Sequence, residues 1–218
     1  MFTKINQSSM SKNILDTIIE HKLVEVAARK KEMSIAQLEG MPLFFTQTSS
    51  LKASIQQVGK TGIIAEFKRK SPSKGIINAI AEVEEVTKAY EQFGASGISV
   101  LTDQTFFGGN LEDLSIAVSR SIPVLRKEFI VDEFQIIEAK AYGASVILLI
   151  AACLTKEKTK QLAFMAKSLG LEVLLELHDA TELGHICEEV DLVGINNRSL
   201  KSFEVNIEHS LQLKDQLP

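Results

Sequence analysis

VILLIAACL, Val146–Leu154, is a run of nine consecutive apolar residues. A helix that crosses a bilayer needs about 20, so this run is no membrane segment and reads as a strand buried on both faces. Similar runs rich in Val, Ile and Leu lie on either side of it. In chain order they are Gly62–Phe67, Gly97–Leu101, Ile122–Leu125, Ser145–Ile150, Leu171–Leu175 and Leu192–Ile195. Their starts are spaced by 35, 25, 23, 26 and 21 residues. Between them the period changes to that of helices. Ile80, Val83, Val86, Tyr90 and Phe93 recur at three or four, with Asn78 placed to cap that helix and Gly94 to end it. Asn110, Asp132, Thr155 and Asp179 stand at the same point before later helices, and Gly143 and Gly170 close two of them. Parallel strands need crossovers of this length, so the pattern predicts a parallel sheet covered by helices. Two architectures fit it: an open doubly wound sheet or a (β/α)8 barrel.

Ahead of the first strand, a helix is expected from about Lys12 to Lys31. Its apolar positions Ile14, Leu15, Ile18, Ile19, Leu23 and Val26 form one face for packing as a cap. Pro42 and the stretch Thr46–Ser50 mark its link to the sheet. The expected organisation is one domain over 1–218, with a helical extension at 1–50 and βα units one to six over 62–218.

Composition narrows the function classes. The chain has 218 residues, 45% of them hydrophobic and 24% charged, which are globular proportions. A net charge of −4 and the absence of Trp argue against a nucleic-acid binder. No partner of that kind and no membrane association are expected. MFTKINQSSMSKN at the start has no apolar stretch of signal-peptide length. Cys153 and Cys187 have no partner at CxxC spacing and read as reduced thiols of a cytoplasmic protein.

In either architecture ligands bind beyond the carboxyl ends of the strands. Those ends carry Glu66 and Lys68, with Arg69 and Lys70 following; Thr102-Asp103; Arg126-Lys127-Glu128; Glu176; and Asn196-Asn197-Arg198. Charges on apolar strands are costly to bury unless paired or used. One such residue reads as a structural ion pair, but several strands polar at the same end point to a site. Ammonium and carboxylate groups facing each other there suit general acid–base chemistry.

Other signals fail. Gly59-Lys60-Thr61 lacks the earlier glycine of a P-loop and precedes a strand instead of following one. Gly108-Gly109 has no dinucleotide-binding context and reads as a turn. His21, His178, His185 and His209 form no metal-ligand constellation, and no GxSxG elbow is present.

Five segments then carry a resemblance: IAEFKRKSPSKG (Ile64–Gly75), ISVLTDQTFFGGNLEDL (Ile98–Leu114), PVLRKEFIVDEFQIIEA (Pro123–Ala139), GLEVLLELHD (Gly170–Asp179) and GINNRSL (Gly194–Leu200). In this order they closely resemble the indole-3-glycerol-phosphate synthase family. The resemblance implies a (β/α)8 TIM barrel with an N-terminal helical extension and a cytoplasmic step of tryptophan biosynthesis. It also implies decarboxylating ring closure of a small phosphorylated substrate, 1-(2-carboxyphenylamino)-1-deoxyribulose 5-phosphate. Carried over position by position, Lys127 matches the general acid and Lys68 the lysine that contacts the substrate carboxylate. Glu66 matches the carboxylate beside it, and Glu176 the acidic partner that stabilises positive charge or accepts a proton. Asn196 and Arg198 match polar substrate contacts, Ser71 the mobile first loop, and Phe107 and Phe129 the walls around the anthranilate ring. No cofactor and no metal are expected.

Two positions depart from the family pattern. The usual Lys-Asp-Phe is Lys127-Glu128-Phe129, and the usual Asn-Arg-Asp-Leu is Asn197-Arg198-Ser199-Leu200. The sequence also offers six strand signals where a barrel has eight, so strands seven and eight are expected to be missing. The alternatives are a non-catalytic partial barrel acting as an interaction partner, or another phosphate-handling barrel. The second does not explain Glu66, Lys68, Lys127 and Glu176 arriving together.

Overall fold

The computed structural model describes residues 13–198 and 204–218. Its main sheet has strands β1 (Ile64–Phe67), β2 (Gly97–Leu101), β3 (Val124–Lys127), β4 (Val146–Ile150), β5 (Glu172–Leu177) and β6 (Leu192–Ile195). They lie side by side in chain order, and every neighbouring pair is parallel. A doubly wound sheet reverses its strand order at a switch point, so that architecture is excluded. Residues from β1 through β5, and Asn196 just past β6, border one cavity, so the sheet curls around it. The fold is a partial (β/α)8 barrel. Among the described residues β1 and β6 pair with no further strand of this sheet.

The helices are α1 (Ile14–Glu32), α2 (Ile35–Glu39) and α3 (Leu51–Gln56) before the sheet, then α4 (Val83–Gln92), α5 (Gln104–Phe107), α6 (Leu111–Ala117), α7 (Glu133–Ala141), α8 (Lys156–Ser168) and α9 (Ile207–Lys214). Asn110, Asp132 and Thr155 cap α6, α7 and α8 through their side chains, as their positions predict. Asp179 caps only a 3₁₀ segment, Ala180–His185. Asn78 caps no helix. Its side chain accepts from the Ile80 amide in a turn, Ile80 is exposed, and α4 starts at Val83 without a side-chain cap. The long apolar run also divides. Only Val146–Ile150 is strand, and Ala151–Cys153 turns away as 3₁₀ helix. The first helix begins at Ile14 behind its cap Asn13, and Lys12 lies outside the described residues.

Strand alternation sorts the core into two layers. One face of the sheet sends Ile98, Val100, Val124, Ile147, Leu149, Val173 and Leu175 against the helices, where Leu114, Ile136 and Leu162 meet them. The inner face packs Leu125, Val146, Leu148 and Ile150 around Leu51 of α3. Beneath that inner core, Glu172 accepts hydrogen bonds from the Leu51 and Lys52 amides at 2.8 and 3.1 Å and from the Ser50 hydroxyl. A carboxylate at a helix N-terminus complements its unsatisfied amides, so Glu172 pins α3 to the floor of the barrel. The linker at Thr46–Ser50 was legible in the sequence; the short helices on either side of it were not. A third cluster packs Val26 of α1 and Leu38 of α2 against Phe134, Ile137 and Ala141 of α7.

Candidate active site

At the carboxyl ends of the strands lies a cavity of about 410 Å³. All nine residues that the resemblance assigned to the site border it: Glu66, Lys68, Ser71, Phe107, Lys127, Phe129, Glu176, Asn196 and Arg198. Of the other polar strand-end residues Glu128 borders it, and Arg69, Lys70, Thr102, Asp103, Arg126 and Asn197 do not. The backbone explains why. Glu66 and Lys68 are two apart at the end of β1 and project to the same side, while Phe67 between them is buried on the helix side. Lys127 sits at the end of β3 in register with Leu101. Glu176 on β5 is in register with Ile150 on one side and Gly194 on the other.

The charged groups interlock. Lys68 Nζ donates to Glu66 Oε1 at 2.7 Å. Lys127 Nζ lies between two carboxylates, 3.7 Å from Glu66 Oε2 and 3.6 Å from Glu176 Oε2. Asn196 Nδ2 donates to Glu176 Oε1 at 3.0 Å, fixing that carboxylate from β6. The two lysines and Glu66 are about three-tenths exposed and Glu176 half that, so the cluster faces the open cavity. An ammonium facing two carboxylates across an open cavity is an arrangement suited to general acid–base chemistry.

The remaining walls are apolar side chains and the loop after β1. The Phe107 and Phe129 rings lie 6.0 Å apart, tilted by 35°, and Leu148 and Ile150 form the floor. The β1 loop folds as a two-strand hairpin pairing Lys70–Ser71 with Gly75–Ile76, and Ser71 accepts from the Lys74 amide at 3.2 Å. Asn196 Oδ1 accepts from the Arg198 amide at 3.0 Å, ordering the segment after β6. Ser199, the altered position in the last motif, lies outside the described residues.

Residues 15–218 match the family model described as indole-3-glycerol phosphate synthase. The chain belongs to this family. Decarboxylating ring closure is the family's chemistry, which makes the chain a carboxy-lyase enzyme of tryptophan biosynthesis. Relatives bearing the family's name include one from Bacteroides thetaiotaomicron, 47% identical over 208 residues that cover 95% of this chain and 80% of that protein. One from Polynucleobacter necessarius is 41% identical, covering 94% and 81%, and one from Acinetobacter baumannii is 39% identical, covering 96% and 79%. Among solved structures, the carboxyl transferase domain (Y628A) of Rhizobium etli pyruvate carboxylase with pyruvate matches at a TM-score of 0.48 and 13% identity. That match covers 73% of this chain and 34% of that one.

Two further charged residues, one inside the motifs and one on α1, lie behind the site. Arg126, beside Lys127, points away from the cavity and pairs with Glu138 of α7 at 2.8 Å. Lys22 of α1 is fully buried, where the periodicity placed Leu23 on the packing face; Leu23 is instead more than half exposed. The carboxylates of Asp103 and Glu128 draw the lysine inward, and long-range partners of that kind leave no trace in local periodicity. Among the described residues no group of three or more His, Cys, Asp or Glu is placed to hold a metal ion.

Proposed function

We propose that this cavity binds 1-(2-carboxyphenylamino)-1-deoxyribulose 5-phosphate and converts it to indole-3-glycerol phosphate, carbon dioxide and water. The observation that carries the reading is the Lys127 ammonium between Glu66 and Glu176, facing a cavity walled by Phe107 and Phe129. The volume of about 410 Å³ lies in the range of small-molecule sites.

In this reading the aromatic pair holds the anthranilate ring, and Lys68 pairs with its carboxylate. The ring carbon bearing that carboxylate bonds to the ketone carbon, and Lys127 donates its proton to the ketone oxygen. Carbon dioxide departs, returning its electron pair to the ring. Lys127, reprotonated from solvent, gives a second proton to the new hydroxyl, which leaves as water. Glu176 balances the positive charge that develops on the nitrogen side, or accepts the proton lost as the indole double bond forms. Glu66 holds both lysines in place. Asn196 and Arg198 contact the substrate's polar end, and Ser71 closes from the hairpin loop. The preorganised charges act where charge develops, which is the usual source of the largest catalytic contribution.

A cytoplasmic setting is part of the proposal. Its supports are the two unpaired thiols and the absence, among the described residues, of a helix long and apolar enough to cross a membrane. Purified protein incubated with the synthetic substrate should release carbon dioxide and form the fluorescent indole product in equal amounts. Substrate binding without either product would favour a non-catalytic barrel.

A further inference from the structure

Lys22 carries an inference that rests on the reading above and deepens it. Its side chain is completely enclosed, yet it bears a charge, and a buried charge is tolerated only when paired. Three carboxylates surround Nζ: Glu25 Oε2 at 2.9 Å, Asp103 Oδ2 at 2.9 Å and Glu128 Oε1 at 3.1 Å. They come from three places: α1 itself, the segment after β2, and the segment after β3. Burial disfavours the ammonium, but the Glu128 and Asp103 charges outweigh it and hold its pKa above the ordinary lysine value.

The partners of those carboxylates lead to the site walls. Asp103 Oδ1 accepts from the Phe106 and Phe107 amides at 2.7 and 3.2 Å, capping the short helix that presents the Phe107 ring. Asp103 Oδ2 has no hydrogen-bond donor besides the lysine among the described residues. Glu128 Oε1, which meets Lys22, also accepts from the Phe129 amide at 2.8 Å, and its other oxygen accepts from the Thr102 hydroxyl at 2.8 Å. One ammonium is therefore bonded to both carboxylates that hold the backbone of both aromatic walls. Helix α1 adds two contacts nearby. His21 packs edge-on against Phe106, and its ring nitrogen lies 3.4 Å from the Thr105 hydroxyl.

We propose that Lys22 is a positioning residue, which sets the spacing and orientation of Phe107 and Phe129 through Asp103 and Glu128. It touches no substrate atom. The N-terminal extension is then part of the substrate clamp, beyond its role as a cap on the barrel. Without the ammonium, the buried Asp103 and Glu128 carboxylates lose the counter-ion they share, with Glu25 left at the margin and Arg126 still 3.9 Å from Glu128, and the charges are driven apart. That separation shifts the segments that carry the rings.

The test uses Lys22→Met and Asp103→Asn in the full chain. The asparagine retains the capping oxygen for Phe106 and Phe107 while removing the charge that faces Lys22. For both variants KM should rise, by about tenfold for Lys22→Met and by a few-fold for Asp103→Asn, with kcat changed less than about threefold. A purely structural lysine would lower the melting temperature and leave the KM of folded enzyme within about twofold of wild type, overturning the proposal.

Amide hydrogen exchange gives a readout independent of activity. In Lys22→Met the amides of Phe106, Phe107 and Phe129 should lose protection by about tenfold or more relative to those of β4. Uniform loss across the sheet, or none at these amides, would overturn the proposal. If Lys22→Met does not fold, the same two measurements on Asp103→Asn decide it. A wild-type protein that fails to turn over substrate would refute the proposed function alone, and the exchange pattern would still decide the role of Lys22.

Discussion

Replacing Glu138 by leucine tests the electrostatics of the layer behind the site. Glu138 lies on α7 with its side chain almost wholly buried, between Arg126 at 2.8 Å and Arg29 at 2.6 Å. Burial works against its carboxylate, but Arg126 and then Arg29 outweigh that and hold its pKa below the ordinary value of 4.5. Leucine removes the charge and leaves Arg126 buried, with the Gln135 carbonyl at 2.7 Å, the Thr102 hydroxyl at 3.1 Å and Glu128 at 3.9 Å. Removing one partner of a buried pair costs about 3–5 kcal/mol. The contacts left to Arg126 and the partial exposure of Arg29 place the expected loss near the lower end, about 3 kcal/mol. In a chain of this size that lowers the melting temperature by about 6–12 °C. Urea unfolding followed by far-ultraviolet circular dichroism at neutral pH measures it, with an unchanged denaturant slope. Adding Arg126→Met should recover at least about half of the loss, because no unpaired charge then remains in the interior and Arg29 is one-third exposed. The sign with pH follows from the depressed pKa. The carboxylate's contribution is complete above its unfolded value of about 4.5 and is lost as pH falls through the lower folded value. The gap between wild type and Glu138→Leu should therefore narrow as pH drops from about 5 toward 3. A loss below about 1 kcal/mol at neutral pH, or a gap that widens in acid, would refute the reasoning.

Gly109→Ala should be among the most damaging small substitutions, since its Cβ would fall on the Leu101 carbonyl, a backbone group at the end of β2 that cannot swing aside. A fall in melting temperature of about 5 °C or more is expected, and a shift within about 1 °C would contradict it. Cys153, whose thiol burial and then the Glu176 charge push up to about 12, should not react with a disulfide reagent in the native state at mildly alkaline pH. It should react once the chain is unfolded, and rapid native labelling at Cys153, read by mass spectrometry, would contradict this. Phe107→Ala should raise KM about tenfold with turnover little changed, because an aromatic wall supplies contact area and no proton. A collapse of kcat at unchanged KM in steady-state kinetics would contradict that role.

The alternation of apolar runs and helical periods was enough to find all six strands, because a strand covered on both faces must be apolar nearly throughout. Their ends were less legible. The third apolar run covers Ile122–Leu125, but the strand is Val124–Lys127, and the charges of Arg126 and Lys127 disguise its end. Alternation sends those two neighbours to opposite sides, one into the cavity and one into the ion pair with α7, and composition alone does not separate them. Glu66, Lys68, Lys127 and Glu176 were legible because several strands carry charge at the same end. Lys22 was not, since the carboxylates that bury it lie on distant segments of the chain. Glu172 was hidden for the same reason, as its partners at Ser50–Lys52 precede it by more than a hundred residues.

The central claim is that Lys127 delivers the proton that drives ring closure and dehydration. Lys127→Met keeps most of the length of the side chain and removes its ammonium, leaving Glu66 paired with Lys68 and Glu176 held by Asn196. The decisive measurement is steady-state formation of the fluorescent product by wild type and Lys127→Met, with substrate affinity determined separately by calorimetry. A fall in kcat of about 10²-fold or more at nearly unchanged affinity is the predicted result. Turnover within a few-fold of wild type would contradict it.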